Sequence, residues 1–252
     1  MTTFALANGL TGWTMALAAL MTFGASYIRG LTGFGMAIVL VPLLGTIIPP
    51  DRAVVLGLLL QLLIGPVGLP VIVKDSHKPS AFPIATLAVL FTPVGLWALG
   101  RTPPDVARIL IALIAIGAFV LVIATRKAIQ RPGLAATAVV GMTSGILAGF
   151  AGMPGPPVIP YYLREAFAPI VARASMMLIF FATAIAGTVS AFGLGIATPD
   201  LLLLAVLLFA PMWLGNRLGG KAFGRVSPVL WRSVVAAILG VAGVSACWRA
   251  IA

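Results

Sequence analysis

Three glycines and three prolines stand within nine residues at Gly149-Phe150-Ala151-Gly152-Met153-Pro154-Gly155-Pro156-Pro157. Proline removes a backbone donor and clashes with the preceding turn, and glycine gives up conformational entropy, so the stretch is expected to break regular helix. Its flanks, Thr137–Ala148 and Val158–Leu163, nevertheless read as helix at membrane depth. There the N–H and C=O groups that a break releases survive only where protein or a watery cavity satisfies them. A weaker echo, Gly30-Leu31-Thr32-Gly33-Phe34-Gly35, lies 119 residues earlier. Two interrupted apolar segments at matching places of two halves point to a transporter's substrate site.

The flanks read as membrane helices because 61% of the 252 residues are hydrophobic and 8% charged, with a mean hydropathy of +1.16. A soluble domain of this size needs more polar surface, so an all-α polytopic membrane protein is expected. The net charge of +11 comes from 16 Lys and Arg against five acids. These cations fall mostly in short loops, where they set orientation, and no basic-aromatic cluster suggests nucleic-acid binding. One cysteine, Cys247, leaves no intrachain disulfide and no cysteine-based metal or redox motif. The run Leu10–Ser26 follows an N-terminus without Lys or Arg and reads as an uncleaved first helix.

In order, the apolar segments are a (Leu10–Ile28), b (Met36–Ile48), c (Arg52–Val73), d (Ala81–Gly100) and e (Val106–Thr125). Segment b reaches roughly 20 Å of a 30 Å hydrocarbon core, which makes it short, re-entrant or broken. After the polar stretch Arg126–Gly133 come a′ (Leu134–Ala148), b′ (Val158–Leu163), c′ (Ala172–Ile196), d′ (Asp200–Gly215) and e′ (Val229–Trp248). The order repeats residue by residue. Gly30 and Gly33 match Gly149 and Gly152, Arg52-Ala53 matches Arg173-Ala174, Pro93 matches Pro211, and Pro104 with Arg108 matches Pro228 with Arg232. Residues 1–128 and 129–252 are thus expected to be two repeats of one membrane domain.

Charge suggests how the repeats relate. If a and b form a hairpin, the second repeat is inverted. One face then carries 12 cations, Arg29 and Arg173 among them, against Arg52, Arg101, Arg108 and Arg249. A single broken crossing would split them, Arg29 left aside, 9 to 6. The positive-inside rule favours the inverted repeat, with both termini on the non-cytoplasmic side and Gly/Pro-broken or re-entrant helices at the centre.

Catalysis has little support. The acids Asp51, Asp75, Asp105, Glu165 and Asp200 lie at segment ends or in loops, and His77 reads as a solvated loop residue. No metal-ligand cluster or nucleophile–base set is visible, so no enzyme, metal or cofactor is expected. The breaks have the better case, because a short helix opening at a break points free N–H groups and its positive dipole end inward, which suits an anion. The alternative is that the glycines only let helices pack closely.

Candidate substrate-binding residues are Gly30, Thr32, Gly33, Phe34 and Gly35 in the first break, and Gly149, Gly152, Met153, Pro154, Gly155 and Pro156 in the second. Arg52 and Arg173, paired by the repeat, either draw anions to each mouth or snorkel to the interface. Gln61 and Asn216 are polar at apolar depth and serve substrate or bond a neighbouring helix, the latter reading being preferred for Asn216. Tyr161 and Tyr162 line the cavity or join the interfacial belt.

Arg29-Gly30-Leu31-Thr32-Gly33-Phe34-Gly35, followed by Leu40-Val41-Pro42-Leu43-Leu44, resembles the first signature repeat of the TauE/SafE family of sulfite and organosulfonate exporters. Gly152-Met153-Pro154-Gly155-Pro156-Pro157-Val158-Ile159 resembles the second, with Pro154 where such sequences usually have glycine. Leu214-Gly215-Asn216-Arg217-Leu218-Gly219, with Arg225-Val226-Ser227-Pro228, is similar to a late stretch of that family. The resemblance implies movement of sulfite, thiosulfate or small sulfonates across the bacterial inner membrane, often outward. The coupling ion, proton or sodium, stays open, as does the oligomeric state. An anion channel of the same architecture and a non-transporting membrane partner are the alternatives.

Overall fold

The computed structural model describes residues 12–124, 133–164 and 167–222, and among these there are ten helices and no strand. They are α1 (Gly12–Thr32), α2 (Met36–Leu44), α3 (Pro50–Ile64), α4 (Leu69–Asp75), α5 (Lys78–Leu99), α6 (Pro104–Ala124), α7 (Leu134–Ala151), α8 (Gly155–Arg164), α9 (Pro169–Gly193) and α10 (Pro199–Lys221). Helices α5, α7, α9 and α10 are long and apolar enough to cross a membrane, and the bent pair α3–α4 makes a fifth candidate. Large apolar side chains stand outward on these and neighbouring helices, among them Leu20, Leu90, Leu113, Val189 and Val206. Water would oppose that surface and lipid accepts it. The chain is a multi-pass membrane protein.

Several boundaries differ from the sequence reading, each for a local reason. Segment c is not continuous. It turns through 88° between α3 and α4, where Pro66 has no N–H to continue the ladder and Gly68 adopts φ +77°. Segment b ends at Leu44 rather than Ile48, and the chain turns with Ile48 N–H donating to the Leu44 carbonyl at 2.9 Å. The second break is also shorter than the nine residues expected. Helix α7 continues through Gly149 to Ala151, and Pro156 and Pro157 sit in the first turn of α8, where a missing N–H costs no intrahelical bond. Three residues remain non-helical in each break, Gly33–Gly35 and Gly152–Pro154. Segment d′ runs on to Lys221 and so takes Asn216 into α10. Segment e′, Cys247 and linker residues 126–132 lie outside the described residues.

Two long pairs frame the molecule, α1 along α10 and α5 along α7, while α3 and α9 meet between them. In lipid no hydrophobic force drives helices together, so backbones that approach closely through small residues supply the packing. Gly215 and Gly219 of α10 lie against the carbonyls of Phe23 and Tyr27 in α1, and Gly30 of α1 lies against the backbone of Asn216 and Gly220. In the other pair Gly145 faces Ala88, Gly149 faces Thr92, and Gly95 faces the Ile146 carbonyl. The short helices fill the space between. Leu40 and Val41 of α2 and Val158 and Ile159 of α8 are fully buried, as expected for helices apolar all round. An ion pair from Arg52 at the start of α3 to Asp200 at the start of α10 ties the two helices at one end.

Replacing Gly145 or Gly219 by valine drives a side chain into backbone that cannot retreat, and is expected to destabilise by about 2 kcal/mol or more. Gly24→Ala meets nothing within 4 Å and should be neutral or stabilising by up to about 1 kcal/mol. Thermal melts in detergent check both.

Candidate functional site

The first break is built by glycine geometry. Gly33 and Gly35 adopt φ +86° and +89°, a left-handed backbone that other residues reach only with strain. The α1 helix closes with Gly33 N–H on the Arg29 carbonyl at 2.7 Å. The Thr32 hydroxyl lies 2.8 Å from the Ile28 carbonyl and 2.7 Å from that of Phe34, and accepts the Phe34 N–H at 3.2 Å. Helix α2 then starts at Gly35 with no side-chain cap, so its first-turn N–H groups keep their positive character.

The second break solves the same problem with other residues. Gly152 (φ +68°) ends α7, its N–H bonding the Ala148 carbonyl while Met153 N–H reaches back six residues to the Leu147 carbonyl at 3.1 Å, so the left-handed glycine closes the helix on its own last-turn carbonyls. Two released carbonyls are met by side chains. Ser144 Oγ donates to the Pro154 carbonyl at 2.7 Å, and Gln61 Nε2 donates to the Gly152 carbonyl at 3.2 Å. Gln61 belongs to α3, so the second half's break is braced by the first half.

Both breaks wall one cavity. Phe34, Gly35, Met36, Ala37 and Ile38 come from the first, Met153, Pro154 and Gly155 from the second, with Arg29, Gln61 and Phe180 between them. The volume is about 20 Å³, room for a single water. Among the described residues of this wall Arg29 is the one charge. It is 8% exposed, and its Nη1 donates to Asn216 Oδ1 on α10 at 2.8 Å. Helices α3, α6 and α10 each carry an acid in their first turn, Asp51, Asp105 and Asp200, whereas α2 and α8, which open on the cavity, carry none. The positive dipole ends and Arg29 thus leave the cavity electropositive.

Of the residues singled out in the sequence, Phe34, Gly35, Gln61, Met153, Pro154 and Gly155 meet at this cavity. The others stand behind or beside it. Thr32 braces the first break, Gly30 and Gly149 sit at helix crossings, and Gly33 is covered by the stem of Arg173. The Arg173 guanidinium donates to the Gly30 carbonyl at 3.0 Å. Gly152 faces Val41 and Val54, and Pro156 is buried one residue past the wall. Arg52 pairs with Asp200 at the far end of α10 from Asn216. Tyr161 and Tyr162 brace α8, bonding Thr137 at 3.1 Å and Ser80 at 2.9 Å.

Two readings of single residues change. Arg29 had been counted as a face charge because it ends an apolar run, but it is buried in the cavity wall; its position directly ahead of the first glycine of the break is the signal. His77 is a loop residue as expected, but partly buried rather than solvated. Its Nδ1 lies 2.9 Å from Ser80 Oγ and its ring packs on Phe167 at 4.7 Å. No group of three His, Cys, Asp or Glu among the described residues could hold a metal.

Ser144→Ala strands the Pro154 carbonyl away from water and is expected to cost about 1–3 kcal/mol. Gln61→Leu removes the brace on Gly152 with a similar cost. Melting of each variant in detergent tests this, and an unchanged melt for both would show that the breaks need no such support.

The sulfite exporter TauE/SafE family model matches residues 18–246. Comparisons with curated proteins and with solved structures find no match. With helices broken at two glycine-rich points that meet in one electropositive cavity, and a family model that spans nearly the whole chain, the protein belongs to the TauE/SafE sulfite exporter family, a family of membrane transporters.

Proposed function

We propose that the protein is a secondary transporter that moves small sulfur-containing anions, namely sulfite, thiosulfate or sulfonates, outward across the bacterial inner membrane by alternating access. The carrying observation is the single cavity walled by both breaks, electropositive and free of acids among its described lining residues. Phe34, Gly35, Gln61, Met153, Pro154 and Gly155 contact the anion. Gly30, Thr32, Gly33, Gly149, Gly152, Pro156 and Tyr161 hold the backbone path, and Arg52 and Arg173 flank the approaches. At about 20 Å³ the cavity is small for a sulfite, which supports a cycle in which its walls move to admit substrate. A continuously open pore, as a channel would need, has no support in that volume.

Residues 1–128 and 129–252 act as inverted repeats around this site, with both termini on the non-cytoplasmic side. Exchange of the halves supports this: α1 lies along α10 as α5 lies along α7. Near the C-terminal end of each of α5 and α10 an arginine also lies over the tryptophan four residues before it, Arg101 on Trp97 at 3.9 Å and Arg217 on Trp213 at 5.0 Å. Proton or sodium drives the cycle.

Uptake of radiolabelled sulfite, thiosulfate and a small sulfonate into proteoliposomes, with and without a proton or sodium gradient, tests the reading. Saturable, gradient-dependent flux of one of them is expected. Gly33→Leu and Gly152→Leu should insert yet lower that flux at least about tenfold, an effect on the transport step rather than on assembly. Normal flux in both variants would sink the proposal, and currents far above roughly a few thousand ions per second would make the protein a channel.

A further inference from the structure

Arg29 is a cation inside the protein, and a guanidinium taken out of water requires an opposite charge or a set of good acceptors. No acid is paired with it among the described residues. Its described hydrogen bond goes to the amide oxygen of Asn216 at 2.8 Å, and the ion pairs among the described residues, Arg52–Asp200 and Arg108–Asp105, leave it out. Arg173 lies close enough to repel it. The opening turns of α2 and α8 at the same cavity add positive dipole ends and no acid. An aspartate in place of Asn216 would have the same size and reach and would cancel the charge. The amide holds Arg29 by an oxygen and leaves its charge standing.

We propose that Asn216 is a positioning residue that fixes Arg29 in the cavity wall without neutralising it, so that the transported anion itself supplies the counter-charge. This rests on the reading of the cavity as the substrate site. A guanidinium carries five N–H donors in a planar fork, so one bond to Asn216 leaves donors for an oxyanion in a geometry that suits it. The binding charge then comes from α1 and its orientation from α10, one helix from each half. Selection for anions depends on an uncharged residue, because the charge next to it must stay uncompensated.

The test compares wild type, Asn216→Asp, Asn216→Ala and Arg29→Gln by uptake of radiolabelled sulfite into proteoliposomes over a range of concentrations, and by melting in detergent with and without sulfite. The wild type should take up sulfite saturably and melt higher when it is added. Asn216→Asp should stay folded, lose the sulfite-induced melting shift and raise KM at least about tenfold. Asn216→Ala should be the milder variant, since it loosens Arg29 but keeps its charge. A role confined to packing α1 against α10 would reverse that order, because aspartate preserves the shape and alanine does not. That reversal, or a wild-type KM and melting shift in Asn216→Asp, overturns the proposal and leaves the transporter reading intact. If Asn216→Asp does not fold, Arg29→Gln decides: loss of the sulfite shift in a folded variant supports the proposal, and an unchanged KM overturns it. Absence of saturable uptake by the wild type overturns the cavity as substrate site and this proposal with it.

Discussion

Inside a bilayer a backbone polar group has no water to turn to, and the arrangement of this protein follows from that constraint. The two breaks that wall the cavity leave the helical ladder among buried helices, and each is only three residues long. Everything around them supplies the missing partners: Thr32 from its own turn, Ser144 from the helix just ended, Gln61 from the opposite half. A carbonyl left unmet at such depth costs several kcal/mol, which is why the breaks lie among buried helices and not on the lipid-facing surface. The cavity between them exists because irregular backbone was gathered into one place where its groups could be met together.

The distribution of charge is coherent with the same logic. Acids are few, and in α3, α6 and α10 they lie in the first turn, where they complement the helix dipole, two of them also pairing with arginines. The two short helices that open inward lack that complement. Their amide ends, together with Arg29, give the interior a potential of one sign, while the outer surface stays apolar.

Much of this was legible in the sequence. The positions of both breaks follow from glycine and proline clustering, and their pairing was suggested by matched residues whose spacing drifts between 118 and 124 along the chain. Their extent did not follow, because a glycine within a helix looks the same in sequence whether it ends the helix or admits a neighbour. Gly149 does the second and Gly152 the first. The four-residue spacing of Gly141, Gly145 and Gly149, and of Gly215 and Gly219, was the available sign that those glycines face another helix. The bend after Ile64 was equally visible in Gly65-Pro66 and was overridden by the length of the apolar run. Arg29 escaped because a charge at the end of a span usually reaches the interface, and only the packing of α10 shows that this one does not.

The glycine crossings have a mechanical consequence. Where backbones touch with no side chain between them there is no compliant layer to shear, so the close glycine contacts favour α1 with α10, and α5 with α7, staying together as two stiff bars. Each bar takes one helix from each half of the sequence. The units that can shift against each other are therefore not the two halves as they are read along the chain. They are interleaved bodies, and the short helices α2 and α8, hung from α1 and α7 by three residues each, are the parts that such a shift would carry toward or away from one another.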